Sequence, residues 1–280
     1  MTEENKLASA LYLVGTPIGN LSDMSPRAVS TLSNVDFIAA EDTRNSLKLL
    51  THFGIKKPLV SYYEHNKRER GEIITKRIIA GESCALITDA GMPAISDPGE
   101  DLVKLCEELG IKVYAIPGPS AVVTAAALSG ISVGRFTFEG FLSTNKNERD
   151  KHLQSLTGER RTMIFYEAPH KLKKTLSDLL LTFGDRKLSL CRELTKIHEE
   201  VLRTTISGAI EKYEVIEPKG EFVLVLEGKS EEDTPFWESM SIKEHFAHYA
   251  ENLSDADAMK AVAKDRGISK SEVYKEIKVK

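Results

Sequence analysis

The sequence predicts an α/β fold: two α/β domains with a cleft for a small polar ligand between them, followed by a small helical C-terminal extension. Three observations carry this expectation. Short Val/Ile/Leu-rich runs alternate with amphipathic stretches from Leu11 to Leu226, the pattern of strands and helices building a largely parallel sheet covered on both faces. Several of those runs stop abruptly in loops dense in Gly, Pro, Asp and Ser, and in open α/β sheets ligands bind just beyond the carboxyl ends of the strands. From Ile242 onward only helical periodicity remains. The expected domains are residues 1–117, 118–230 and 231–280.

In order, Leu11–Val14 is expected as a strand that empties into Gly15-Thr16-Pro17-Ile18-Gly19-Asn20. Ser25-Pro26-Arg27 opens a helix, with Ser as N-cap and Pro in the first turn. A second strand is expected from Asn34 to Ala40, ending in Glu41-Asp42-Thr43-Arg44, and its helix runs through Leu50 to Phe53-Gly54. A short strand from Leu59 to Tyr63 leads into Glu64-His65-Asn66-Lys67-Arg68. Ile73, Ile74, Ile78 and Ile79 give the helix expected from Gly71 to Ala80 one apolar side. The run Cys84 to Ile87 ends in Thr88–Gly99, with two Asp, two Gly and two Pro. A helix from Leu102 to Leu109 closes at Gly110. A strand from Lys112 to Ile116 then ends in Pro117-Gly118-Pro119-Ser120, and the Ala-rich run to Leu128 is a helix.

The second domain is expected to be a second α/β unit with shorter helices and a mixed sheet. Its strands are Phe136 to Phe141, Thr162 to Tyr166, Lys187 to Cys191, Glu200 to Thr205 and Phe222 to Leu226. Ser143 to Asn147 reads as a polar linker. Helices are expected at Lys151–Leu156, Leu172–Leu181 and Ser207–Tyr213. Glu227 to Pro235 reads as a charged linker. In the tail, Ala256, Met259, Val262 and Ala263 mark one helix, Gly267-Ile268-Ser269 a turn, and Glu272–Ile277 a second helix. That spacing suits either a helix-turn-helix or a helical hairpin packed on the body.

Composition narrows the class. With 41% hydrophobic and 29% charged residues in 280, the chain has the balance of a globular protein rather than a disordered one. No apolar run approaches the ~20 residues that span a bilayer, and Met1 to Lys6 carries no signal-peptide pattern. Cys84, Cys106 and Cys191 are odd in number and set in apolar surroundings, which suggests buried thiols in a reducing, cytoplasmic setting. A net charge of −4 argues against indiscriminate coating of nucleic acid. Lys67–Arg77 and Asn145–Arg161 are locally basic, as either solvated helix faces or binding patches.

The motifs leave several readings open. Gly15-Thr-Pro-Ile-Gly19 has two glycines where a dinucleotide fingerprint has three, and Pro17 offers no N–H to a phosphate. It is read as a turn that shapes a ligand site. Asp89 either hydrogen-bonds a ligand hydroxyl or ammonium or caps the following helix, and Ser120 has the same ambiguity. Glu41, Asp42 and Arg44 are either a surface ion pair or site residues on the ligand edge. His170 and His198 lie too far from other soft ligands for a metal, and none is expected. No Walker or His-Glu-x-x-His motif is present.

Together, Leu-Tyr-Leu-Val-Gly-Thr-Pro-Ile-Gly-Asn, Ala-Glu-Asp-Thr-Arg, Ile-Thr-Asp-Ala-Gly-Met-Pro-Ala-Ile-Ser-Asp-Pro-Gly and Ile-Pro-Gly-Pro-Ser-Ala resemble the tetrapyrrole methylase superfamily. Phe-Tyr-Glu-Ala-Pro-His and Cys-Arg-Glu-Leu-Thr-Lys-Ile-His-Glu-Glu resemble its branch that methylates small-subunit (16S) ribosomal RNA on the ribose 2′-oxygen of a cytidine in the decoding region. The resemblance runs from Leu11 to Glu227, and the tail is similar to that branch's helix-turn-helix extension. It implies S-adenosyl-L-methionine bound between the α/β domains, a homodimer, and the small ribosomal subunit as partner, with no membrane. Carried over, cofactor contacts would come from Gly15, Pro17, Gly19, Asp89, Gly91, Met92, Ser120, Ala121, Tyr166, Leu194 and Glu221.

A 2′-hydroxyl is a poor nucleophile at neutral pH, so a base nearby would help; the candidates are Glu41, Asp42 and His65, with Arg44 orienting a phosphate. RNA contacts are expected from Lys67, Arg68, Arg70, Lys146 and Arg149, since phosphate neutralisation dominates such affinity. Ser96 and Asp97 would shape the cleft floor towards the RNA. The competing expectations are methylation of a tetrapyrrole carbon and RNA binding without catalysis.

Overall fold

A computed structural model of the chain describes residues 7–230, 237–238 and 240–278. The chain forms two compact units, one through Gly228 and one from Lys229 onward.

The first unit carries both sheets. Strands β1 (Leu11–Val14), β2 (Phe37–Ala40), β3 (Leu59–Ser61), β4 (Cys84–Ile87) and β5 (Val113–Ile116) pair in parallel, in the order β3-β2-β4-β1-β5. Helices α1 (Pro26–Asn34), α2 (Thr43–His52), α3 (Lys67–Ile79) and α4 (Glu100–Glu108) connect them. Successive side chains on a strand point to opposite faces. On one face Tyr12, Val14, Ile38 and Ala85 meet Ala28, Leu32 and Leu50. On the other Leu11, Phe37, Ala39 and Leu86 meet Ile74, Ile78, Leu102 and Cys106. Burial on both faces is why these strands read as continuous apolar runs.

The second sheet is mixed. It contains β6 (Phe136–Phe141), β7 (Thr162–Glu167), β8 (Lys187–Arg192), β9 (Glu200–Thr205) and β10 (Phe222–Leu226), in the order β6-β7-β10-β8-β9. Only the β6–β7 pair is parallel. Helix α5 (Ala121–Leu128) follows β5 but packs Val122, Ala125 and Ala126 on this second sheet, against Ile164, Cys191 and Val223. The opposite face takes α6 (Lys146–Ser155), α7 (Pro169–Phe183) and α8 (Ile206–Val215), through Leu153, Leu172, Leu176 and Ala209.

Several boundaries differ from expectation for local reasons. Asn34 belongs to α1, not to a strand: its side chain donates to Ser30 O at 2.7 Å, and β2 begins at Phe37. Helix α3 starts at Lys67 rather than Gly71. Gly71 does not break it, since the residue faces α4 closely enough that a Cβ would stand 3.4 Å from Leu105 Cδ2. The polar stretch around Asn145 is a helix start, because Asn145 Oδ1 accepts from the N–H of Asn147 at 3.0 Å and so caps α6.

Among its described residues the second unit has three helices where two were expected: α9 (Ile242–Ala250), α10 (Asp255–Arg266) and α11 (Lys270–Lys278). Helix α9 is announced by a capping box at Ser241 and Glu244. Its one fully buried residue is His245, stacked on Trp237 at 5.4 Å and accepting from Arg266 Nε at 3.1 Å. A histidine at the core position hides the apolar stripe that marks a helix. Gly267, at φ 63°, closes α10. The expectations for residues 1–6 and for most of the linker, residues 231–235, lie outside the described residues.

Candidate active site

Four loops leave the carboxyl edge of the parallel sheet and converge. The loops after β1 and β4 are pinned by a two-residue bridge: Thr16 N–H donates to Gly91 O at 2.9 Å, and Gly91 N–H donates to Thr16 O at 3.1 Å. Gly91 sits at φ 86°, a conformation that costs Gly little. After β2, Glu41 accepts from the Thr88 hydroxyl at 2.8 Å. The loop after β5 reaches Ser120, the N-cap of α5, which makes no side-chain cap bond.

The second sheet meets these loops with one edge. Strand β10 runs antiparallel to both β7 and β8, pairing Phe222 with Glu167 and with Arg192. The end of β7, the end of β8 and the start of β10 therefore lie together. Between the two sets of loops is a cavity of about 570 Å³, within the range of small-molecule sites. Ile18, Met92, Leu194 and Val223 give it apolar walls, and Glu41, Asp89, Asp97, Glu167 and Glu221 give it five carboxylates.

Backbone strain shapes one wall. Leu194 lies between two left-handed residues, Glu193 at φ 52° and Thr195 at φ 66°, each costing on the order of 1–3 kcal/mol. The surroundings hold them: Lys196 Nζ is 2.8 Å from both Glu193 Oε1 and Glu221 Oε2, and Glu221 N–H donates to Glu193 Oε1 at 3.0 Å. Gly19 presses on this segment. A Cβ there would lie 2.5 Å from Lys196 Cγ and 2.8 Å from Thr195 Oγ1.

Burial and neighbouring charge shift several titratable groups of the cavity. Asp97 is pushed up to about 6, first by burial and then by the charge of Glu41, with Asp89 adding and the Thr88 hydroxyl opposing. Burial pushes the Tyr166 phenol up to about 12 and the Cys191 thiol up to about 11, so both line the cavity as neutral groups at pH 7.

Of the residues singled out in the sequence, Asp89, Gly91, Met92, Ser120, Ala121, Tyr166, Leu194 and Glu221 line the cavity, and so does Glu41. Gly15, Pro17 and Gly19 stand behind it; only Ile18 of their turn reaches the lining. Asp42 caps α2, accepting from Arg44 N–H at 2.8 Å and pairing with the exposed Arg44 guanidinium at 3.0 Å. His65 is exposed beyond β3, an edge strand at the opposite end of the sheet from β5. None of Asp42, Arg44 and His65 lines the cavity.

Among the expected RNA contacts, Arg68 is exposed and Arg70 half-buried. Lys67 pairs with Glu64 at 2.8 Å and Asp101 at 2.6 Å, and Lys146 pairs with Asp150. The expectation for Arg149 does not hold. It is 6% exposed, and its Nε lies 2.9 Å from Asp178 Oδ2, so it ties α6 to α7 instead of facing solvent.

Sequence reasoning missed Ile95, Phe141, the run Glu167–His170, Cys191, Phe222 and Val223 as lining residues. For Phe141 there was a signal: a Gly inside a strand, Phe-Glu-Gly-Phe, marks a bulge or a close approach. Cys191 and Val223 are ordinary buried strand positions and gave none.

The fold and the cavity define a class. Two α/β sheets joined in this way recur in diphthine synthase (TM-score 0.59, 16% identity, 78% of this chain and 89% of that one). They recur again in cobalt precorrin-4 methyltransferase (TM-score 0.56, 17% identity, 78% and 94%). The family model described as Tetrapyrrole (Corrin/Porphyrin) Methylases matches residues 10–210, and the chain belongs to that family. Within it, the chain is 48% identical over 268 residues to ribosomal RNA small subunit methyltransferase I of Halalkalibacterium halodurans, covering 94% of this chain and 93% of that one. The protein of the same name in Bacillus subtilis is 46% identical (94% and 92%), and that of Thermotoga maritima 48% identical (78% and 98%).

Proposed function

We propose that the chain transfers a methyl group from S-adenosyl-L-methionine to the ribose 2′-oxygen of a cytidine in the decoding region of 16S ribosomal RNA. One observation carries this reading: a carboxylate-lined cavity at converging strand ends, in a chain 48% identical over 268 residues to a ribosomal RNA small subunit methyltransferase.

The lining suits the cofactor. Glu41, Asp89 and Asp97 favour a ligand with positive charge, and Ile18, Met92, Leu194 and Val223 favour one with an apolar body. The uncapped N-terminus of α5 at Ser120 favours a carboxylate. We assign the cofactor to Asp89, Gly91, Met92, Ser120, Ala121, Tyr166, Leu194 and Glu221, with Gly15, Pro17 and Gly19 supporting from behind. When bound, S-adenosylmethionine supplies an electrophilic methyl on a sulfonium that leaves as a neutral thioether. The residues of the chain then need mainly to hold the 2′-oxygen in line with that methyl. Of the three base candidates Glu41, Asp42 and His65, Glu41 is the one on the cavity, and it takes the proton that the 2′-hydroxyl loses as its oxygen bonds to the methyl carbon.

Lys67, Arg68, Arg70 and Lys146 are the proposed phosphate contacts on the small subunit. The reading also includes a homodimer working in the cytoplasm; no helix among the described residues is long and apolar enough to cross a membrane. Mass mapping of ribosomal RNA nucleosides from a deletion strain tests it. One ribose-methylated cytidine should vanish from 16S RNA, and an unchanged nucleoside map overturns the reading.

A further inference from the structure

We propose that the hollow walled by Phe141 and Ile95 stacks the nucleobase of the nucleotide being methylated. The proposal rests on the ribose reading above.

A second, open hollow of about 370 Å³ adjoins the main cavity and shares Ile95, Ser96 and Phe141 with it. Its other wall is the strand β6 from Phe138 to Gly140. Residues three apart on a regular strand face opposite sides, so Phe138 and Phe141 should diverge. They do not. The β6–β7 register shifts between Phe138 and Gly140, and Gly140 sits at φ 65°. This bulge turns both rings onto Tyr166, at centroid distances of 4.9 Å and 5.4 Å. A Cβ at Gly140 would meet nothing within 4 Å, so the glycine serves the backbone bend, not a space requirement.

The result is an aromatic ring left in water at the mouth of the site. Phe141 is 57% exposed although Tyr166 backs it, and Ile95, on the same hollow, is 64% exposed. Single exposed apolar residues need no explanation, but two on one hollow beside a reaction cavity do. Ile95 is held there by Ala94 at φ 67°, a strained conformation for Ala. Apolar walls and an open side suit a flat, unstacked base, the form in which proteins read single-stranded RNA. The ribose C1′ that carries the base is bonded to C2′, which carries the reacting oxygen. With the 2′-oxygen in the main cavity, the base must enter the adjoining space. Ser96 and Glu139, the latter bonded to His152 Nε2 at 2.9 Å, offer polar groups to the base edge.

The test uses the full-length protein, small ribosomal subunits from a strain lacking the activity, and methyl-labelled S-adenosylmethionine. Phe141→Ala should lower kcat/KM for the subunits about 5- to 150-fold, the range commanded by one base–aromatic stack, and Phe141→Tyr should restore most of it. Cofactor Kd, read by calorimetry, should move much less than kcat/KM. Equal losses in both, or no loss in either, overturn the proposal, since Phe141 would then be only a wall of the cofactor cavity. The tyrosine variant guards against a folding defect in the alanine one. Nucleoside digestion separates the failure of the underlying reading: a methyl on the base rather than the ribose places the base in the main cavity and overturns that reading directly.

Discussion

Gly15 and Gly118 stand back to back where the loops after β1 and β5 cross: a Cβ on Gly15 would lie 2.7 Å from Gly118 Cα, and one on Gly118 would lie 2.8 Å from Gly15 Cα. Neither residue has a positive φ, so the demand for glycine is one of space between two backbones. The crossing fixes where Met92 can sit, because its Sδ is 2.8 Å from the same Gly15 Cβ position.

Gly15→Ala and Gly118→Ala should therefore each force the two loops apart, at a cost of about 1–3 kcal/mol for overpacking a closed site. Thermal unfolding should register a lower Tm, and calorimetry a weaker cofactor Kd. Gly134→Ala is the control, since a Cβ there meets nothing within 4 Å; it should change stability by less than about 0.5 kcal/mol.

Asp97 should make cofactor binding depend on pH. Glu41, Asp89 and Tyr166 are the titratable groups that face it. Its pKa is raised in the fold to about 6, so between the ordinary carboxylate range and pH 6 the folded state binds more protons than the unfolded one. Stability of the free protein should fall as pH rises through that window. Affinity for a cationic ligand should move the other way, rising from pH 5 to pH 7.5 as Asp97 ionises. Asp97→Asn should flatten the pH profile of Kd, and an unchanged profile would remove Asp97 from the cation site.

The sequence made the strand ends legible and left the strand order hidden. That distinction explains the pattern among the site residues. Asp89, Met92, Ser120 and Tyr166 follow strands that converge, and they line the cavity. His65 follows β3 in the same manner, but β3 is the edge strand at the opposite end of the sheet from β5, whose loop does reach the cavity, and no local signal reports a strand's place in the order. Asp42 is adjacent to Glu41 yet is consumed by capping α2. Gly15 and Gly19 stand out in the sequence as parts of a turn, but what requires glycine there is the approach of Gly118 and of Thr195, which are far away in sequence.

Arg149 illustrates the same limit, and it yields a prediction by contrast. In a basic stretch it reads as a surface cation, whereas it is paired with Asp178 on the next helix. Arg149→Ala should cost about 2–4 kcal/mol, because it leaves a partly buried carboxylate without its partner. The salt dependence of RNA binding should stay as it was. Charge reversal at the surface, Arg68→Glu with Arg70→Glu, should leave Tm nearly unchanged and reduce the slope of log K against log salt by about 1–2. Titrations at three or more salt concentrations distinguish the two.

Cofactor binding should survive removal of the second unit. The described residues that line the cavity fall between Ile18 and Val223, and the compact unit that holds both sheets runs through Gly228. The Thermotoga maritima relative matches this chain over 98% of its own length but only 78% of this one, so the chain carries residues which that protein lacks. A chain ended after Gly228 should bind S-adenosylmethionine with a Kd within about twofold of the full-length value, a difference of only ~0.4 kcal/mol. Calorimetry on both forms checks this. A large loss of affinity would mean that helices α9 to α11 contribute to the cofactor site directly.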